Sequence, residues 1–163
     1  MLETTTGKGT QNIDPKTLIP HRAPMLLIDV ISFLDKEAQV IEARKTVRED
    51  EHFIQGHYPE FQLVPGVITT EMIFQTGAAL IGALMGSEMD VGDYVPVISR
   101  ANNLKFKNMI LPNDEVHLSV AITEKVGPAY YLKGKATVGG KVAASVEFAC
   151  VMAPNPSTGT KQN

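Results

Sequence analysis

Two residues of types suited to proton transfer, His57 and Glu71, lie 14 positions apart in this chain. His57 occupies a turn-like GHYP stretch, and an imidazole suits proton abstraction because it titrates near neutral pH. Glu71 lies inside the apolar segment 64–85, where loss of solvent favours the neutral form of a carboxyl group. Such an acid can donate a proton at physiological pH. The pair predicts acid–base chemistry, although either residue taken alone is more often structural than functional.

The rest of the sequence offers little support for other kinds of catalysis. It has no CxxC, HExxH or carboxylate run with metal-ligand spacing, no GxSxG motif and no glycine-rich phosphate loop. We therefore predict no metal site. Cys150 lies in an apolar run and is expected to be a buried strand residue. We expect His21 to brace Arg22 and His117 to face solvent or an interface, while His52 has acidic neighbours and no assigned role.

Segment 64–85 is expected to be a long buried helix. Pro65 fits its first turn, where the missing N–H has no cost, and apolar residues then cover almost every face. Its length would suffice to cross a membrane, but Glu71 and Gln75 make a span unfavourable and no Lys/Arg cluster flanks it. Glu71 and Gln75 are four residues apart and share one helix face. We expect Gln75 to orient Glu71.

Extended segments surround this helix and predict a mostly antiparallel sheet of the α+β class. Residues 115–126 alternate cleanly between apolar and polar. Gly139-Gly140 is a two-residue hairpin signal between the last two segments. Residues 48–51 (REDE) are expected to form a solvated loop. The candidate strands are 25–34, 38–47, 94–111 (bent or interrupted), 115–126, and the hairpin of 130–138 with 141–153.

Composition indicates one globular domain, placed at 13–154, with disordered tails at 1–12 and 155–163. The chain has 163 residues, a net charge of −3 and a pI near 5.8, so nucleic-acid binding has no general electrostatic support. A lone cysteine indicates a reducing compartment. The polar N-terminus lacks the apolar core of a signal peptide. We expect a cytoplasmic location.

Three stretches resemble the FabZ-type 3-hydroxyacyl-acyl-carrier-protein dehydratases. They read PHRAPMLLID, HFIQGHYPEFQLVPGVITTEMIFQTGAALIGALM and LKFKNMILPNDEV. The family pattern runs roughly PHRxPFLLVD, GHFP, PGVLxxEAMxQ and ARFKxPVxPGD. The order of these motifs matches, as does the separation of the histidine from the glutamate. The resemblance covers about residues 17–153.

The resemblance implies a hot-dog fold, a curved antiparallel sheet wrapped around one central helix. It also implies dimers, often assembled as trimers of dimers, with active sites at the subunit interface. His57 and Glu71 would be the catalytic pair, drawn from opposite subunits. Gly66, with Val67 beside it, would offer N–H groups to the thioester oxygen. The reaction would convert (3R)-3-hydroxyacyl-carrier-protein to trans-2-enoyl-carrier-protein and water, without a cofactor.

Several positions depart from the family pattern, and three basic residues are candidates for docking the carrier protein. Phe74 replaces a common alanine near Glu71, so we predict that it narrows or reshapes the acyl tunnel. The acidic carrier protein, with its phosphopantetheine-linked chain, needs local positive charge. We name Arg100, Lys105 and Lys107 as candidates for docking it. Further departures are Val30, Glu60, Gln62 and Met72.

Two other functions remain open at this point. In a hot-dog thioesterase, Glu71 would activate water and release free acid and thiol. A catalytically silent subunit would keep the fold and bind acyl thioesters without turnover. A dehydratase that also isomerises the double bond is disfavoured, because that related group usually carries aspartate at the position of Glu71.

Overall fold

The computed structural model describes residues 9, 11–86 and 94–156. Its strands form one six-stranded sheet of order β1-β2-β4-β5-β6-β3, in which every neighbouring pair is antiparallel. The strands are β1 (Val30–Asp35), β2 (Val40–Thr46), β3 (Tyr94–Phe106), β4 (Glu115–Val126), β5 (Ala129–Val138) and β6 (Lys141–Pro154). The helices are α1 (His52–Gln55) and α2 (Gly66–Met85), preceded by a 3₁₀ turn at Pro15–Thr17.

Helix α2 is the core helix, packed against β2 to β6. Pro65 is its N-cap residue, and a fully buried row of side chains runs along it. The helix is long and apolar enough to cross a membrane, but 67% of its apolar stretch is buried inside the fold. Most of its apolar surface is therefore covered, as the apolar pattern predicts, although Val67 at its start is 74% exposed.

Close packing of α2 on the sheet depends on two glycines. A Cβ at Gly134 of β5 would overlap Cγ2 of Ile73 on α2. A Cβ at Gly77 would lie 2.7 Å from the Cζ atom of Phe148. Both positions need a residue without a side chain because helix and strand approach each other closely.

The alternation in β4 and the final hairpin are confirmed. Val116, Leu118 and Val120 are buried on one face of β4. Gly139 and Gly140 have φ of +55° and +76° and join β5 to β6. A two-residue turn with both φ positive matches the right-handed twist of the strands it connects.

Three sequence expectations need correction. The first strand begins at Val30, because residues 25–29 run as a loop instead. The acidic loop at 48–51 is not uniformly solvated: Glu51 is 7% exposed, and its Oε1 lies 2.6 Å from Nζ of the buried Lys45. The extended stretch after Tyr94 is one strand that ends at Phe106, with register shifts after Ile98 and Asn102.

Strand β3 lies at one edge of the sheet, and its outer surface is uncovered. Val97, Ile98, Leu104 and Phe106 are each at least 40% exposed. An edge strand with unpaired backbone groups and apolar side chains is a surface that proteins normally cover. The predicted tails lie largely outside the described residues, and the 13–154 boundaries stay a prediction.

Candidate active site

Glu71 lies in the second turn of α2 and is oriented by Gln75 one turn later. Gln75 is 1% exposed. Its Oε1 accepts the N–H of Leu27 at 2.9 Å, and its Nε2 donates to the carbonyl of Met25 at 2.7 Å. Because the Leu27 N–H can only donate and the Met25 carbonyl can only accept, the orientation of the amide is determined. The same Nε2 donates to Oε1 of Glu71 at 3.0 Å.

This contact distinguishes the two oxygens of the Glu71 carboxyl group. An amide NH₂ has no acceptor capacity, so Oε1 must accept and cannot carry a proton towards Gln75. When the group is a neutral acid, this contact favours the proton on Oε2, because the carbonyl oxygen of a carboxylic acid is its better acceptor. Sequence spacing predicted that the two side chains share a face, but the anchoring of Gln75 to residues 25–27 has no signal in the spacing.

His21 is the residue of this site that sequence reasoning missed. Its Nε2 lies 3.9 Å from Oε1 of Glu71, and both side chains are 30% exposed. The expected bracing of Arg22 involves only the main chain of His21, whose carbonyl accepts from Nη1 of Arg22 at 2.7 Å. The available signal was its place in the PHRAPMLLID stretch.

His57 lies just beyond α1 and has a determined tautomer. Its Nδ1 is 3.1 Å from the carbonyl oxygen of Leu63, which can only accept, so Nδ1 carries the proton. In the neutral ring, Nε2 is then left with a lone pair, as a general base requires. The ring packs against Tyr58 with centroids 4.2 Å apart. The structure thus gives the half-buried imidazole the form that can abstract a proton.

The start of α2 presents free backbone donors to a cavity. The N–H groups of Gly66 and Val67 belong to the first turn and have no partner within the helix. A cavity of about 650 Å³ lies beside them, with Leu63, Phe106 and Lys107 in its wall. A Cβ at Gly66 would stand 2.9 Å from the Phe106 ring. The aromatic ring therefore lies close against the helix start, where the dipole favours negative charge.

His57 and Glu71 have different hydrogen-bond partners in this chain. Among the described residues, no hydrogen bond or ion pair joins His57 to Glu71. His57 contacts Leu63, whereas Glu71 contacts Gln75 and lies near His21.

Comparison with known proteins identifies the family. A family model described as FabA-like domain matches residues 19–147. The chain is 41% identical over 134 residues to 3-hydroxyacyl-[acyl-carrier-protein] dehydratase FabZ of Staphylococcus aureus, covering 82% of this chain and 88% of the relative. The chain belongs to the FabA-like family.

Solved structures support the hot-dog fold. The dehydratase heterocomplex ApeI:P of Xenorhabdus doucetiae matches with a TM-score of 0.75 at 14% identity, covering 90% of this chain and 94% of that chain. A phenylacetic acid degradation-related protein of Ralstonia eutropha matches with a TM-score of 0.61 at 18% identity, covering 75% and 83%. At these identities the likeness shows the fold alone, and it confirms the curved antiparallel sheet around one helix.

Phe74 and the three candidate docking residues lie on different parts of the fold. Phe74 packs its ring on Phe148 of β6, with centroids 4.9 Å apart, so it lies between α2 and the sheet. Lys107 lines the cavity at the helix start. Lys105 is exposed on β3, and Arg100 lies further along this strand beside a different depression.

Neither a metal site nor a reactive cysteine is found among the other ionisable groups that the structure describes. Within the described ranges, no group of three or more His, Cys, Asp or Glu side chains has an arrangement that could hold a metal ion. Cys150 is buried in β6, as expected, and burial raises the pKa of its thiol to about 11. Because a thiol needs its thiolate form to attack, Cys150 is not suited to be a nucleophile. His117 is exposed and contacts Glu115.

Proposed function

We propose that this protein dehydrates 3-hydroxyacyl thioesters carried by acyl carrier protein, giving trans-2-enoyl thioesters for fatty-acid or related acyl-chain biosynthesis. The observation that carries the proposal is the hydrogen bonding of the side chains at 57 and 71. In the neutral imidazole of His57, Nδ1 donates to the Leu63 carbonyl and Nε2 keeps a lone pair. Oε1 of Glu71 accepts from Gln75, which leaves Oε2 to carry the proton of the acid form. The 41% identity to a FabZ dehydratase supports the same reaction.

In the proposed mechanism, Nε2 of His57 removes a proton from C2 of the substrate. The electron pair moves towards the thioester, and the N–H groups of Gly66 and Val67 stabilise the charge that develops on its oxygen. Oε2 of Glu71 protonates the C3 hydroxyl as the C–O bond breaks. Water leaves, and the C2=C3 double bond forms with the thioester intact.

The protons balance over each turnover, and the expected rate contributions of the acid, the base and the oxyanion donors are consistent with this scheme. Each turnover leaves a protonated His57 and an ionised Glu71, and proton exchange with solvent restores both. General acid–base steps contribute about 10²–10⁴-fold each, and an oxyanion donor about 10²–10³-fold. No step in the scheme requires a cofactor.

We further propose that the working site forms between two subunits. The base of one chain would face Glu71 of the partner subunit, so that each site draws its base and its acid from different chains. The apolar outer surface of β3 supports this arrangement, because pairing with a second copy would cover both its side chains and its backbone. A trimer of such dimers stays a prediction, as does the cytoplasmic location.

The cavity at the helix start would admit the phosphopantetheine-linked substrate. Lys107 at its wall would attract the acidic carrier protein, and Arg100 and Lys105 are further candidates along β3. Association would weaken with added salt, since exposed charges are screened over about 8–10 Å at physiological ionic strength. We also propose that the acyl group is carried as a thioester of carrier protein rather than of coenzyme A.

One assay tests the function. The purified protein is incubated with a 3-hydroxyacyl-carrier-protein, or with its trans-2-enoyl product, while thioester and free thiol are measured. Interconversion with the thioester intact is expected. Thiol release would instead indicate a thioesterase, and neither reaction would indicate a silent acyl-binding subunit.

Two variants test the assignment of the acid and the base. His57→Ala and Glu71→Gln should each abolish turnover and leave the circular dichroism spectrum unchanged. His117→Gln, an exposed substitution on β4, serves as the control and should retain full activity. If mixing the two inactive variants restores part of the activity, the shared site is supported, because a mixed dimer then contains one intact pair.

A further inference from the structure

We propose that His21 is a positioning residue for the acid, Glu71. The inference rests on the proposed function, in which Oε2 of Glu71 donates a proton to the substrate. Its starting point is the 3.9 Å separation between Nε2 of His21 and Oε1 of Glu71, across two side chains that are each 30% exposed. Oε1 is the same oxygen that accepts from Gln75.

The loop that carries His21 is held by hydrogen bonds to its own main-chain carbonyls. Arg22 donates from Nη1 to the carbonyls of Ile19 and His21, at 3.0 and 2.7 Å. The N–H of Met25 donates to the Arg22 carbonyl at 2.9 Å. Gln75 then ties the following residues to α2. The imidazole is therefore presented to Glu71 by a braced segment.

The other ring nitrogen of His21 indicates which tautomer is present. Nδ1 is buried and has no hydrogen-bond partner. A proton there would be an unpaired buried donor, and leaving a buried polar group unpaired costs about 1–3 kcal/mol. Orphaned buried N–H groups are also rarer than orphaned acceptors. We therefore assign the proton to Nε2, the ring nitrogen that lies 3.9 Å from Oε1 of Glu71.

A small movement would turn this proximity into a hydrogen bond. The present 3.9 Å exceeds the normal N–H···O distance by about 1 Å. Contacts of this kind are often long without substrate and shorten when it binds. With both donors on Oε1, the carboxyl group is held in one orientation. As its proton leaves Oε2, the two donors stabilise the charge that develops.

Few charged groups face His21 from the described elements. Glu71 approaches it from α2, and Arg22 lies next to it on its own segment. Lys16 of the 3₁₀ turn is linked to this segment through its carbonyl, which accepts from Arg22. A change at His21 should therefore be seen first in the behaviour of Glu71.

Two substitutions of His21 separate a donor from a merely structural residue. Glutamine can place a neutral N–H near the position of Nε2, whereas alanine removes the donor. We expect His21→Ala to lower kcat about tenfold, the equivalent of one charge-assisted hydrogen bond, with KM changed less than about twofold. The alkaline limb of its pH–rate profile should move to higher pH, because losing a donor to Oε1 favours the acid form of Glu71. His21→Gln should retain most of kcat, and the alkaline limb of its pH–rate profile should stay at the wild-type pH.

Several results would overturn the inference. If both variants lose the same activity, or if the profile of His21→Ala keeps its shape while thermal stability falls, His21 is structural. If His21→Ala does not fold, His21→Gln is the deciding variant. A large loss of kcat in a folded His21→Gln protein rejects the donor role. Retained kcat, with the alkaline limb of the pH–rate profile at its wild-type position, supports it. An inactive wild type rejects the proposed function, whereas an active wild type with unchanged His21→Ala kinetics rejects only this inference.

Discussion

Replacing Gln75 by leucine would test whether one buried amide both stabilises the fold and orients the acid. The substitution keeps a similar shape but removes three hydrogen bonds, to Leu27, Met25 and Glu71. The Leu27 N–H would then be buried and unpaired, whereas the Met25 carbonyl is only part-buried. An unpaired buried group costs about 1–3 kcal/mol, and a part-buried one costs less. Because leucine regains some apolar burial, we expect a net loss of about 1–3 kcal/mol in the free energy of unfolding.

The third lost bond should appear in catalysis. Without the Gln75 donor, Oε1 of Glu71 is no longer reserved as an acceptor. The carboxylate that forms when Glu71 gives up its proton also loses the stabilisation of about one hydrogen bond to a charged group. We expect kcat to fall about tenfold or more. Urea unfolding at a single protomer concentration measures the first effect, and turnover of a 3-hydroxyacyl thioester measures the second.

Thr76→Val is the matched control for Gln75→Leu. Thr76 is also fully buried on α2, but its hydroxyl donates only to the carbonyl of Met72 within the helix. That carbonyl lies in the middle of the helix and keeps its main-chain partner. We expect a smaller loss of stability, with kcat unchanged. A Gln75→Leu protein with wild-type kcat would refute the argument that the amide determines which oxygen carries the proton.

Four further changes have defined outcomes. Gly134→Ala should lower stability by about 1–3 kcal/mol, because the new methyl group overlaps Ile73; urea unfolding measures it. Burial raises the pKa of the Cys150 thiol from 9.0 to about 11. The stabilisation from the neutral thiol is therefore complete below about pH 9 and is lost as pH rises through about 11, and a thiol reagent at pH 8 should react slowly until urea is added. Phe74→Ala should shift the acyl chain-length profile towards longer substrates. Lys107→Glu should weaken carrier-protein binding and reduce its salt dependence.

Each of these predictions has a comparison that could contradict it. Gly56→Ala adds a methyl group whose nearest contact is an ordinary 3.6 Å. A similar loss of stability in Gly56→Ala would argue that overlap with Ile73 is not what destabilises Gly134→Ala. Cys150→Ala should lose the extra pH dependence between pH 9 and 11. An unchanged chain-length profile would place Phe74 away from the acyl chain. Lys133→Glu on β5 should affect binding less than Lys107→Glu does.

Regular elements were the part of this protein most readily predicted. The alternation of residues 115–126, the Gly139-Gly140 turn and the apolar run after Pro65 each reflect a local period, of two for a strand and 3.6 for a helix. Errors came where tertiary contacts overrode local pattern. Residues 25–29 read as strand but are held as a loop by Gln75, and Glu51 read as solvated but is neutralised by Lys45.

The candidate active site also divides into features set by the local sequence and features set by tertiary contacts. Residue type and spacing alone selected His57, Glu71 and the shared helix face of Gln75, because these are properties of the chain and of the helical repeat. Only the tertiary structure determined the tautomer of His57, which oxygen of Glu71 is reserved as an acceptor, and the approach of His21. Those features depend on hydrogen bonds between segments up to 50 residues apart. No local pattern encodes such contacts, since they exist only after the sheet has closed around the helix.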